Sequence, residues 1–470
     1  MPRFSPPAAL RLGVVLTAVL TASACASATG GPAGAGGAGG ATNGSSALPA
    51  SFCSKQTPDP TGTAPLTPDP NIKADLTFWG WYNLVPKNVM DDFHKIYPNI
   101  NIKFVDFSTA DTHTKLATAL AGGAGAPDLS MVQDRDAPRF WDLPLLDLTD
   151  CLTPYKSDFP AFKWDKIARP NGQLQAAPWE ADAAVMVYRR DLFKKYGIDP
   201  GGIKTWDDYV AAGKALNTAS GGKTKMVMSL PVSNDNGIAG HITSDFNMML
   251  NQQGGSYFAK DGKVTVNAPE GVTALKMLAK FRKEGITLND VSSGQAEKAA
   301  FEGDQVATIL QQASVSFALK STLKDMSGKW GAMELPAFTD GGTRGAIRGG
   351  TSIAITGQSK SPEAAWKFLQ FWLLRVDSRW KNYEVGGLVE NLFLPAAKDP
   401  RFQAGDPYFG GDPYLKIVAK SAQEAPLFYE NLKTNQLEGA FKQRLRPFLS
   451  DGGDAKGMLD SVASDTEKAQ

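Results

Sequence analysis

The sequence predicts an α/β fold of about two domains, and three observations carry that expectation. Strand-like and helix-like segments alternate from Lys73 onward, and a second alternating unit begins near Trp179. The chain has 470 residues, 42% hydrophobic and 21% charged, which is enough for about two cores. In order, "LTFWG" reads as a strand, and "VPKNVMDDFHKIYPN" as a helix with Val89, Met90, Phe93 and Ile96 on one face, stopped by Pro98. "INIKFVDF" alternates with period two. "TKLATALAGG" is a helix ended by glycines, and "PDLSMVQ" is the next strand. This β-α-β-α-β order predicts a parallel sheet covered on both faces, which would bury both Phe78 and Trp79. In the second unit, "KTWDDYVAAGKALN" and "EGVTALKMLAKFRKEG" are helical, while "KMVMSLP" and "QVATILQQ" are strand-like. "GTSIAITG" then reads as a strand, and "SPEAAWKFLQFWLL" as a helix with a Ser-Pro-Glu start.

The first residues fall outside this pattern. Arg3 and Arg11 precede a short apolar run, "LGVVLTAVL", and the small residues of "TASAC", the layout of a secretory signal over residues 1–24. The run is about nine residues, well short of the roughly twenty that span a bilayer. "TASAC" ends at Cys25 and resembles the lipobox of bacterial lipoproteins, with Ala22 where leucine is usual, so Cys25 is the expected lipidation site. Residues 25–72 are a Gly/Ala-rich tether followed by a stiffer Pro-rich spacer. The export signal implies an oxidising exterior, where the two remaining cysteines, Cys53 and Cys151, are expected to form a disulfide.

Charge and motifs exclude several functions. Formal net charge is +1, with 49 basic against 48 acidic side chains, which gives a nucleic-acid partner no electrostatic support. "GTSIA" sends its serine into a strand, whereas a nucleophile elbow needs a turn into a helix. "STLK" lacks the companion motifs of penicillin-binding enzymes, and "GGKT" lacks the earlier glycine of a phosphate loop. His94, His113 and His241 are widely separated, and no metal motif or cofactor fingerprint accompanies them. The acids of "DRD" and "WEAD" are the best candidates for a glycosidase pair, but spacing alone makes no pair. No catalytic residue, cofactor or metal is therefore expected.

Several segments in fixed order carry a resemblance. "LTFWGW" precedes a helix ending "YPNINIKF"; then come "GAPDLSMVQ", "LLDLT", "NGQLQAAPWEADAAVMVYRRDLF", "KTWDDY", "NQQGG", "AFEGDQVATIL" and "SPEAAWKFLQFW". Together they resemble the bacterial extracellular solute-binding proteins of ABC importers, family 1, and within it the sugar-binding lipoproteins such as the maltodextrin-binding members. The resemblance implies two α/β lobes joined by hinge strands, with the ligand in the cleft between them and hinge closure around it, as in periplasmic binding proteins. Carried over by position, residues 73–178 plus 336–385 form lobe 1, and 179–335 plus 386–470 form lobe 2. Crossings are expected near 178–184, 331–336 and 385–395. The implied function is capture of a mono- or oligosaccharide outside the cell by a lipid-anchored monomer, for delivery to a membrane permease driven by a separate ATPase. A different solute on the same fold (a polyamine or metal chelate) and an exported carbohydrate-active enzyme are the alternatives.

Ligands of open α/β sheets sit beyond the carboxyl ends of the strands, which selects the candidate contacts. Trp81, Tyr82 and Asn83 follow Gly80, which ends the first strand. An indole can cover the C–H face of a sugar ring, with core filling as the alternative for Trp81. Gln133, Asp134 and Arg135 follow "PDLSMV"; family members place a sugar-contacting Asp-Arg pair there, and a local ion pair is the alternative. Trp179, Glu180 and Asp182 occupy the first crossing, where the family places a ligand carboxylate that either acid could supply. In the second lobe Asn234, Asp235 and Asn236 follow a strand, Asp245 lies on the next helix, and Gln311 and Gln312 end "VATILQQ". Arg348 and Thr351 are placed at the cleft rim. Maltodextrin-binding members carry tryptophans just after "VATIL", where this chain has Ala313 and Val315, so its stacking scheme differs.

Overall fold

Period-two alternation builds β1 (Ala74–Gly80), which pairs in parallel with β2 (Ile100–Asp106) and with β3 (Leu129–Gln133). The computed structural model describes residues 65–81, 85–228, 242–289, 291–292, 294–386 and 393–469. The crossovers are the helices Lys87–Ile96 and Thr109–Ala121; the Ser108 hydroxyl caps the second by accepting the Asp111 N–H. β4 (Ala176–Glu180) and β10 (Thr351–Ile355) complete a sheet of order β2-β1-β3-β10-β4. β10 runs antiparallel to both β3 and β4, so the sheet is mixed and not wholly parallel as expected. The reason is topological: β10 enters the sheet from the second lobe, opposite to the direction of the local crossovers.

On β1 only alternate residues are sealed. Phe78 is fully buried against Phe104 and Trp372, with ring centroids 5.1 and 6.0 Å away. Trp79, expected to be equally buried, points to the other face and is only half covered, with its ring edge-on to Phe107 at 5.4 Å.

The second lobe has β5 (Ala184–Arg189) between antiparallel β8 (Thr308–Gln312) and β9 (Trp330–Met333). β6 (Val227–Met228) pairs in parallel with β7 (Thr287–Leu288), and the Thr308 N–H donating to the Met226 carbonyl at 2.8 Å joins this pair to β8. The helix Trp206–Ala219 opens with a reciprocal capping box between Thr205 and Asp208. Helices Ile242–Gln252, Pro269–Lys283, Thr434–Asp451 and Ala455–Lys468 pack together on this lobe.

The chain passes between the sheets over 181–183 and returns over 347–350, and these two crossings run antiparallel. Ala183 bridges Ile347, the Ala184 N–H donates to the Ala346 carbonyl at 2.8 Å, and the Arg348 N–H to the Asp182 carbonyl at 3.0 Å. Residues 336–346, expected in the first lobe, lie on the second. The Trp206 N–H donates to the Ala337 carbonyl, and Arg344 Nε to that of Leu335 at 2.6 Å. The returning crossing therefore falls after 346 and not at 331–336. Much of the crossing expected near 385–395 lies outside the described residues. Cys151 is buried and disulfide-bonded. Cys25 and Cys53 lie outside the described residues.

Candidate functional site

β3 and β4 end and β10 begins side by side, and a buried lysine ties these strand ends together. Lys163, on the helix Ala161–Ile167, is fully buried. Its ammonium donates to the Asp134 carboxylate, to the Glu180 carbonyl at 2.8 Å and to the Thr351 carbonyl at 2.9 Å. All three donors are used, which is what a buried ammonium requires. Asp134 also accepts from the Ser352 hydroxyl at 2.7 Å.

Three expected ligand contacts are engaged elsewhere in the structure. Asp134 is 3% exposed and spent on Lys163 and Ser352. Thr351 is buried, and its hydroxyl donates to Glu180 Oε1 at 2.7 Å. Trp179 is sealed in the first core, its ring 5.5 Å from that of Trp372, because β4 turns position 179 towards the helix Pro362–Leu373.

The two acids of the first crossing separate cleanly. Glu180 is bonded to Thr351. Asp182 holds a left-handed backbone (φ 47°), a strained conformation for a non-glycine residue. It is partly exposed, and no hydrogen-bond or ion-pair partner holds its carboxylate among the described residues. Enough protein surrounds that carboxyl for burial to push it up to about 6, against the pull of Lys163, Lys166 and Arg348.

Of the remaining candidates, Arg348 acts on Asp182 through its charge. The Arg348 side chain is buried and lies 3.1 Å from Asp245 Oδ1, so it is a link between crossing and second lobe and not a rim group. Burial pushes the Asp245 carboxyl up to about 7, against the nearby guanidinium. Gln311 is buried and Gln312 half-buried at the end of β8, opposite the start of β5. Trp81 is half-buried, its indole edge-on to His113 at 5.6 Å. His113 is fixed in turn. Its Nε2 accepts the Gln133 N–H at 3.2 Å, and its Nδ1 faces Asp136 at 3.4 Å, which assigns the proton to Nδ1. Burial pushes the Asp136 carboxyl up, but His113, Arg135 and Arg139 outweigh it and hold it at about 2. Tyr82, Asn83, Asn234, Asp235 and Asn236 lie outside the described residues.

Sequence reasoning missed the ion pairs between the lobes. Lys166, on the first-lobe helix, meets Glu430 of the second lobe at 2.7 Å, and the two side chains are 6% and 7% exposed. Arg135, whose Nε donates to Gln133 Oε1 at 3.2 Å, reaches Glu438 of the helix Thr434–Asp451 at 3.5 Å. Tyr429 and Phe428, next to Glu430, hold to Ser256 and Tyr257, which places this segment on the second lobe. No local signal marks these acids, since the partners of the Arg135 pair stand 303 positions apart. Among the described residues no group of His, Cys, Asp and Glu gathers that could hold a metal ion.

Residues 81–375 match the family model described as bacterial extracellular solute-binding protein. The chain is 28% identical over 316 residues to the arabinooligosaccharide-binding protein of Bacillus subtilis, covering 64% of this chain and 69% of that one. It is 26% identical over 418 residues to the lactose-binding protein of Rhizobium radiobacter, covering 86% and 94%. The fold resembles that of the sugar-binding protein MalE from Xanthomonas citri, with TM-score 0.69 at 18% identity over 84% of this chain and 97% of that one.

Proposed function

The chain belongs to the bacterial extracellular solute-binding proteins, and from that premise we propose that it captures a sugar between its lobes and delivers it to the permease of an ABC importer. Members of the family are binding proteins of exported systems, and no catalytic step is proposed. The relatives named for arabinooligosaccharides and lactose support an oligosaccharide as the substrate class.

The observation that carries the reading is the Asp182 carboxylate at the crossing between lobes, left without a partner among the described residues. A carboxylate accepts hydrogen bonds from sugar hydroxyls, and the accessible part of the Trp81 indole offers a face for ring C–H groups. Lys163, Lys166, Arg135 and Arg348 each already face a carboxylate. That supports a neutral solute over an anionic one. The test is a thermal-shift panel of lactose, maltose, arabinotriose, putrescine and a ferric chelate. A ligand at a hundred times its Kd adds about 2.7 kcal/mol of stability. Stabilisation by putrescine or the chelate alone would replace the sugar, and cleavage of an oligosaccharide would make the protein an enzyme.

Trp81→Ala is expected to weaken sugar binding by about 1–3 kcal/mol, roughly 5- to 150-fold, while barely moving the denaturant midpoint. Calorimetric titration beside a denaturant melt decides it; normal affinity with a large stability loss would make Trp81 a core residue. The lipobox-like leader supports a lipid anchor at Cys25 on the outer face of the cell membrane. Cys25→Ser is expected to move the protein from the membrane to the soluble fraction with affinity unchanged, and retention in the membrane would overturn the anchor.

A further inference from the structure

Gly349 stands beside the carboxylate on which the proposed function rests, and the space around it is unusual. A methyl group added there would lie 2.6 Å from Asp182 Oδ2, and the next nearest atoms, at 3.6 and 3.7 Å, are the Cγ and Cβ of the same aspartate. Nothing else among the described residues crowds the position as closely. The backbone at 349 is not left-handed, so conformational freedom does not demand glycine. Gly350 differs: its φ is +142°, and a methyl group there would collide with the Asp134 carboxylate and lie 3.2 Å from the Glu180 carbonyl. One glycine serves the backbone and the buried lysine cluster. The other serves one side chain.

We propose that Gly349 is a positioning residue for the sugar-binding carboxylate, its missing side chain reserving the volume that the Asp182 carboxylate occupies. This rests on the reading of Asp182 as a ligand group. Asp182 has little freedom to comply otherwise. Its backbone is pinned by the Arg348 N–H on its carbonyl at 3.0 Å and by the Ala183–Ile347 bridge, and it already carries a strained φ. A side chain at 349 therefore displaces the carboxylate, the movable end, and leaves the strands in place.

The test compares Gly349→Ala, Asp182→Ala and the double variant, each titrated with lactose and arabinotriose and melted in denaturant. Gly349→Ala is expected to bind about 10- to 100-fold more weakly, the worth of a charged hydrogen bond, at nearly unchanged stability. In the Asp182→Ala background, where the close contact with Oδ2 is gone and the 3.7 Å contact with Cβ is an ordinary one, the glycine change is expected to cost nothing more. Equal losses from Gly349→Ala in both backgrounds, or none in either, overturn the positioning role. Full affinity in Asp182→Ala instead overturns the reading of Asp182 as a ligand group. A ligand-free arm follows the Asp182 carboxyl by carbon NMR. Its ionisation midpoint, raised by burial in the unaltered protein, is expected to move in Gly349→Ala; a midpoint that stays put overturns the proposal whatever sugar is used.

Discussion

Lys163→Met is expected to cost about 3–5 kcal/mol of unfolding free energy while changing sugar affinity far less. The substitution keeps most of the volume and removes the charge. Asp134 is then left 3% exposed with Ser352 as its remaining side-chain donor, and two backbone carbonyls lose their partner. Motion of the lobes cannot relieve this, because the groups involved come from the ends of β3, β4 and β10 and the helix Ala161–Ile167. Lys163→Met/Asp134→Leu is expected to recover much of the loss, since replacing both members of a buried pair by apolar groups is often neutral. Denaturant melts measure both. A small stability loss with a large affinity loss would place the pair in contact with ligand, as the sequence-based expectation for Asp134 had it.

Glu430→Gln removes one partner of an equally buried ion pair and is expected to give a different readout. Lys166 would lose its carboxylate inside the contact between lobes, a cost of about 3–5 kcal/mol if it stayed there. Parting the lobes rehydrates it. The strain should therefore be drawn into opening and not into unfolding, shifting the ligand-free population toward the open form. The expected results are a larger radius of gyration by X-ray scattering, a nearly unchanged denaturant midpoint, and an apparent affinity reduced by the fraction still competent to bind. An unchanged scattering profile with a large fall in stability would mean that the pair acts within one rigid unit. Glu438→Gln should do less, about 1 kcal/mol or below, because its partner Arg135 is 37% exposed and 3.5 Å away.

The sequence by itself determined the elements and the order that ties them to a family. The apolar spacing of Val89 and Phe93 and the Ser-Pro-Glu start of the helix Pro362–Leu373 act within a few residues, so they are legible without a fold. Only the tertiary structure decided which of Trp79, Trp81 and Trp179 is sealed, because burial depends on what covers each face of a sheet. It also separated Asp134, spent on Lys163, from Asp182, left without a partner among the described residues. Both are aspartates beyond a strand end, and local sequence gives them the same reading. What distinguishes them is a lysine 29 positions away from Asp134 and a glycine on the returning crossing. A charge inside a protein takes its role from the groups folding brings within a few ångströms, and those groups are set by chain reversals that no local pattern encodes.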